Sequence, residues 1–377
     1  MNLENAHQVP VGAPSSVEGP PLDGFTKGSA SGSPPIVLTP SQQQLNHNVH
    51  DDLFPSSEMA MFLIEVYFSR AYNATLLYHK ERFVSHWIRR RLPSFIALSI
   101  FATASIFLRN GQSSNPPLTL ADSAHDWEKV GADWANRASQ LVLAHADIPS
   151  LETVQACQTL VLYWLAHGQT QRVNIHANVA YRVCRLLGIN QESAADDPIT
   201  AEQERRCLWA CWITQCISQD NATFKGRCWN DIAGIPLPAT EISYIRSEPC
   251  PYEYLTSDGE VGQIPQSSLE HPDTWSPMSE LVKLAGYWWE IHDFVKQTSN
   301  CTPVEAKRHL ASWMNISSRL EKIQDALPTL YRQRPALSRH SDVNIETLFS
   351  LLCLQHACAC VLVRDPAQFA SLMTFSL

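Results

Sequence analysis

From Leu92 to Leu108 the chain runs for 17 residues without a charged side chain. A stretch of that kind has two homes, a bilayer or the interior of a helical protein. Arg89, Arg90 and Arg91 precede it, as the flank of a spanning helix would. Yet Pro93, Ser94, Ser99, Thr103 and Ser105 interrupt its apolar character, and its length is at the short limit for a span. The expectation is therefore a core helix, buried on all sides, with no membrane involved. Such a helix needs others around it. The composition supplies them: 45% of the 377 residues are hydrophobic, 17% are charged and only 14 are glycine. That balance favours buried helices over a turn-rich sheet.

Helical periodicity recurs along the chain. Ser56 or Ser57 can cap a helix through Met61–Phe68, and a second covers Phe83 to about Arg91. Asp126 to about Ala146 places Trp127, Val130, Trp134, Ala138 and Leu141 on one face. Ser150 can cap the next helix, with Val154, Cys157, Val161 and Trp164 in a stripe and Gly168 as its stop. The segment 171–187 directs Ile175, Val179, Val183, Leu186 and Leu187 to one side and ends at Gly188. Thr200-Ala-Glu-Gln203 has the form of a capping box, starting a helix through Ser218 that is apolar nearly all round. Leu281–Val295, a helix capped by Thr302-Pro303, and one from about Asp342 to Arg364 complete the pattern. No segment sustains a period of two. The reading is an all-α, multi-helix bundle of roughly ten helices.

Residues 1–52, rich in Pro, Gly and Ser with Phe25 as the only aromatic, read as a disordered arm. Residues 53–377 then form the helical domain, interrupted by a long loop at about 246–277. The net charge is −9, where a domain that grips DNA unaided carries a basic excess. Arg89–Arg91 is too short to hold a duplex and reads as a solvated helix end. Eleven cysteines, mostly inside apolar helical patterns, and no apolar leader in the first 50 residues point to free thiols in a reducing, intracellular setting.

Three blocks together resemble a known family. The first is Leu63-Ile-Glu-Val-Tyr-Phe68 followed by Leu76-Leu-Tyr-His79 and Phe83. The second runs from Thr153-Val-Gln-Ala156 to Ala180-Tyr-Arg-Val-Cys-Arg-Leu-Leu-Gly-Ile189. The third is Glu204-Arg-Arg-Cys-Leu-Trp209 with Trp212, then Ile235-Pro-Leu-Pro238. In order and spacing they are similar to the fungal-specific transcription factor domain, or middle homology region, of zinc-cluster (Zn2Cys6) regulators. Leu354-Gln-His-Ala357 with Arg364-Asp-Pro366 is similar to a further helix of that region. The chain departs from the pattern at Ala210, at Gln215 and Gln219, and at Cys228 after Gly226-Arg227. The family's six zinc-binding cysteines near the N-terminus have no counterpart, since the first cysteine is Cys157. Zinc, expected of the family, therefore lacks its ligands here, and no cofactor is expected.

The resemblance implies a nuclear transcription regulator, this chain supplying the helical, effector-responsive domain without its own zinc cluster. Its partners would be other transcription regulators or the transcription machinery and a small-molecule effector, with no direct DNA contact by this chain. The alternative is a helical enzyme or small-molecule-binding protein on the same architecture. The residues favour no chemistry. Gly28-Ser-Ala-Ser-Gly32 mimics a nucleophile elbow but places Ala at the nucleophile position. His167 and His176 have no carboxylate at a catalytic spacing, and Cys207, Cys211 and Cys216 lie among tryptophans and read as packed thiols, not metal ligands. No catalytic or metal residue is assigned. Arg205 and Arg206 are the exception that needs explaining. Read as the start of a helix, they oppose its dipole. They form either a buried ion pair with a neighbouring helix or, walled by Trp209 and Trp212 with Trp288 and Trp289, a pocket for an anionic effector.

Overall fold

A computed structural model describes residues 54–108, 126–189, 197–218, 228–246, 253–262, 276–298, 311–312 and 314–322. The arm to residue 52, the Thr302-Pro303 cap, the helix from Asp342 to Arg364 and most of the 246–277 loop lie outside these residues. The elements are α1 (Ser57–Arg70), α2 (Ala74–Leu77), α3 (Lys80–Ile88), α4 (Ser94–Ile106), α5 (Trp127–Ala144), α6 (Leu151–Ala166), α7 (Thr170–Leu186), α8 (Pro198–Ser218), a 3-10 turn (Cys228–Asp231), α9 (Glu241–Arg246) and α10 (Pro277–Thr298). Extended pairing among the described residues is confined to two isolated antiparallel bridges, Pro236 with Tyr254 and Leu255 with Val261. The all-α expectation holds.

The uncharged run is α4, and every residue from Phe95 to Ser105 is buried. No helix among the described residues is long and apolar enough to cross a membrane. The buried polar side chains of α4 fit a protein interior because each finds an acceptor. Ser99 and Ser105 donate to the carbonyls of Ile96 and Ala102, and Thr103 donates across to Thr159 on α6. Helices α1, α5 and α6 pack around α4. Each fully buried Phe, Ile or Leu there contributes about 1.5–3 kcal/mol.

Helix α8 is the second centre, packed by α2, α6, α7 and α10. It starts earlier than the capping-box pattern suggests. The Asp197 carboxylate accepts from the Thr200 amide at 3.2 Å and from its hydroxyl at 2.6 Å, and the Asp197 carbonyl receives Ala201 N–H. Asp197 is the cap, and Pro198 takes the first helical position, where a missing N–H costs nothing. Thr200 is the third residue of the helix. Ser56, Asp126 and Ser150 cap α1, α5 and α6.

Two predicted faces are displaced. On α5 the buried stripe is Gly131, Ala135, Ala138 and Val142, with Trp127, Val130, Trp134 and Leu141 only half-buried. A Cβ on Gly131 would lie 2.0 Å from Ser105 Oγ, so the backbones of α4 and α5 approach too closely for larger residues. On α7 the buried side is Val173, His176, Ala177, Ala180, Tyr181, Val183 and Cys184. Ile175 and Leu186, assigned inward by spacing, are 51% and 60% exposed, and Leu187 is also exposed.

Candidate functional site

The arginines singled out by sequence sit in the third turn of α8, away from the positive end of its dipole. What must be compensated is burial. Arg206 is fully buried. Its Nε donates to Glu202 Oε1 at 2.9 Å, one helical turn back. Its Nη1 donates to Glu241 Oε1 on α9 at 2.9 Å and to the Thr75 carbonyl on α2 at 3.1 Å, and its Nη2 to the Ala239 carbonyl at 2.8 Å. The guanidinium lies 4.0 Å over the Tyr244 ring. Burial disfavours the charge, but Glu241 and Glu202 outweigh it and hold Arg206 above the ordinary arginine range. Arg205 donates to Glu202 Oε2 at 2.7 Å, so one carboxylate serves two guanidinium groups.

The segment after the 3-10 turn explains this convergence. Pro236 and Pro238 have no N–H, so Pro236-Leu-Pro-Ala239 exposes few donors and a row of carbonyls. Its partners come from three elements. Trp209 Nε1 on α8 donates to the Pro236 carbonyl at 3.0 Å. Ser279 on α10 donates to the Pro238 carbonyl at 2.9 Å, and Leu237 N–H reaches the Glu253 carbonyl at 2.7 Å. The remaining amide, Ala239 N–H, donates to Glu202 Oε1 at 2.8 Å. Thr240 then caps the short helix α9, which brings Glu241 and Tyr244 onto Arg206.

Trp209 and Trp212 meet edge to face at 5.7 Å, and both are fully buried. Trp212 Nε1 donates to the Cys228 carbonyl at 3.1 Å and its ring lies 5.5 Å from that of Trp229. Trp229 is seated on glycine: a Cβ on Gly286 of α10 would lie 2.0 Å from its Cη2, and one on Gly259 2.6 Å from its Cε2. Trp288 instead lies against His292 at 4.3 Å. The aromatic groups of α8 thus seal helix junctions with Trp229, a partner that sequence reasoning passed over. Glu241, Tyr244 and Thr75 were also missed. The available signal was the Pro-x-Pro pair followed by Thr240-Glu241, a donor-poor strap leading into a capped acidic helix.

The thiols do not fit a zinc cluster. Cys157, Cys184, Cys207, Cys211, Cys216 and Cys228 are all buried and free. Burial pushes Cys157 up to about 12 and Cys207, Cys211 and Cys216 well above the ordinary thiol range, the opposite of what a thiolate ligand needs. Among the described residues no three His, Cys, Asp or Glu side chains gather as a metal would require. His167 stacks on Tyr163 at 4.1 Å, whereas His176 receives the Ser139 hydroxyl at 3.0 Å through Nε2 while Nδ1–H donates to the Arg172 carbonyl at 2.8 Å. The two imidazoles serve different junctions. Cys358 and Cys360 lie outside the described residues.

The described residues thus form an all-helical fold organised around α8, whose middle is buried and whose Arg206 is neutralised inside the fold. Residues 64–218, from within α1 to the end of α8, match the family described as fungal specific transcription factor domain. It is 23% identical over 344 residues to the Zn(2)-C6 fungal-type transcription factor FTF1c of Fusarium oxysporum f. sp. lycopersici, covering 84% of this chain and 35% of that protein. It is 24% identical over 371 residues to FTF1a of the same fungus, covering 89% and 33%. An uncharacterized transcriptional regulatory protein of Schizosaccharomyces pombe is 20% identical over 313 residues, covering 76% and 36%. The chain spans about a third of the length of these relatives. No solved structure matches it.

Proposed function

We propose that this chain supplies the regulatory domain of a nuclear transcription regulator of the zinc-cluster type, and that it works through contacts with other regulators or the transcription machinery, not by catalysis. The observation that carries the reading is the match over 64–218, which coincides with the helices that build both packing centres. The disposition of reactive groups supports it. The arginines, thiols and tryptophans of α8 are engaged in holding helices together, which leaves Arg205, Arg206, Trp209 and Trp212 a structural role in preference to that of an effector pocket. The thiols of Cys157, Cys207, Cys211 and Cys216, raised by burial, disfavour zinc ligation at these positions. DNA contact, on this reading, comes from elsewhere in the regulatory assembly.

The test is occupancy. Chromatin immunoprecipitation of the epitope-tagged protein at its native locus recovers a discrete set of promoters if the reading is right. Uniform absence from chromatin, with the protein folded and expressed, overturns it.

A further inference from the structure

Helices α3, α6 and α7 end in the same way, with one difference. At the end of α6, Gly168 N–H bonds Leu165 and Gln169 N–H reaches back to Trp164; at the end of α7, Gly188 and Ile189 do the same to Arg185 and Cys184. Both glycines have the left-handed backbone this motif requires, with φ of 66° and 71°. At the end of α3, Arg90 N–H bonds Trp87 and Arg91 N–H reaches His86, but the left-handed residue is Arg90, with φ of 53°. It is the only non-glycine residue with positive φ among those described. An L side chain is strained there. The helix dipole accounts for a cation near a C-terminus, but not for an arginine in the glycine position.

The strained residue is the middle of a basic turn. Arg89, Arg90 and Arg91 are exposed, and none of them takes part in an ion pair among the described residues. Nearby cations are engaged: Lys80 with Glu65 at 2.8 Å and Arg82 with Asp197 at 2.7 Å. Ile88, immediately before the turn, is 69% exposed, matched only by Ile148 among the large hydrophobic residues described. We infer that Ile88–Arg91 is a docking site for an acidic peptide segment bearing an apolar side chain, the guanidinium groups meeting carboxylates and Ile88 meeting the apolar residue. Charge complementarity selects a peptide over a duplex. Three guanidinium groups neutralise too few phosphates to hold DNA on a chain of net charge −9, and an exposed isoleucine adds nothing against a phosphate backbone.

The experiment uses the full chain and a fluorescein-labelled peptide of roughly fifteen residues alternating Glu with Leu, read by anisotropy, with a duplex DNA and anionic vesicles in parallel. Replacing the three arginines (Arg89→Ser, Arg90→Gly, Arg91→Ser) weakens peptide binding roughly tenfold, and Ile88→Ser weakens it about fivefold. Arg90→Gly alone leaves the melting temperature unchanged or higher, because glycine is relaxed at that backbone, so lost binding is not lost folding. Peptide affinity indifferent to these changes, or no binding at all, overturns the inference. So does arginine-dependent binding of duplex or vesicle that exceeds peptide binding and ignores Ile88→Ser.

Discussion

The carboxylate of Glu202 accepts the backbone amide of Ala239 at 2.8 Å with the same oxygen that takes Arg206 Nε at 2.9 Å. A side chain of α8 thus satisfies both a buried guanidinium and the one free amide of the proline strap leading to α9. Removing it orphans the amide and strips Arg206 Nε of its acceptor, leaving Glu241 as the arginine's remaining counter-charge. Glu202→Ala is expected to destabilise the chain by about 3–5 kcal/mol, the range for breaking one partner of a buried pair. Arg206→Met leaves buried Glu241 without its counter-charge and the Thr75 and Ala239 carbonyls without their donor, so it is expected to cost at least as much as Glu202→Ala. Urea denaturation of the two variants checks the order.

Gly286→Ala is expected to be costly for a different reason. Its Cβ would lie 2.0 Å from the Trp229 ring, which is already held by Trp212 and Tyr287 and cannot rotate aside. Overpacking of this kind costs about 1–3 kcal/mol, and here the upper end is expected. Loss of near-ultraviolet circular dichroism from the tryptophan cluster, alongside a lower melting temperature, is the readout.

Acid should destabilise the fold through His176. Burial, its largest influence, lowers the affinity of this imidazole for protons below the ordinary histidine value of 6.5, and His79 and His292 shift the same way. Above that value both folded and unfolded chains hold neutral imidazole and the effect is absent. As pH falls through 6.5 the unfolded chain protonates first, binds more protons and is favoured. Melting temperatures between pH 7.5 and 5.5 should therefore fall, and His176→Gln should flatten that slope.

How far the sequence reaches is clearest on α7. Val183 was assigned to the core and is buried; Ile175 and Leu186 were assigned there and are exposed. The seam is instead built from Ala177, Ala180, Cys184 and His176, residues that a count of large aliphatics undervalues. Close helix packing selects small side chains, as Gly131 and Ala135 do on α5, and the buried histidine is made tolerable by Ser139 and the Arg172 carbonyl, which no periodicity reveals. Leu186→Gln is accordingly expected to change stability by no more than about 0.5 kcal/mol, whereas Ala180→Leu should cost about 1–3 kcal/mol. Thermal melts of the pair distinguish the observed face from the one that spacing alone suggests.

The central helices were legible for an opposite reason. An uncharged run and an all-round apolar helix leave no face to choose, so α4 and α8 needed no assignment of direction. The Arg206 junction was half legible. Two arginines on an apolar helix demanded counter-charge, but Glu241 and Tyr244 arrive from beyond the proline strap, and only the fold brings them to within bonding distance.

The six described cysteines provide a check on the packing that holds this together. All are buried, so at pH 8 a thiol reagent such as DTNB should leave Cys157, Cys184, Cys207, Cys211, Cys216 and Cys228 unmodified in the native chain and label them after unfolding, as read by peptide mass mapping.

Contact with the transcription apparatus, the output proposed for the helical domain, can be tested directly. Joined to an unrelated DNA-binding domain, the chain should change expression of a reporter carrying that domain's site, and Glu202→Ala, by unfolding the α8–α9 junction, should abolish the change. A folded, bound fusion that leaves the reporter at its basal level would contradict that proposal.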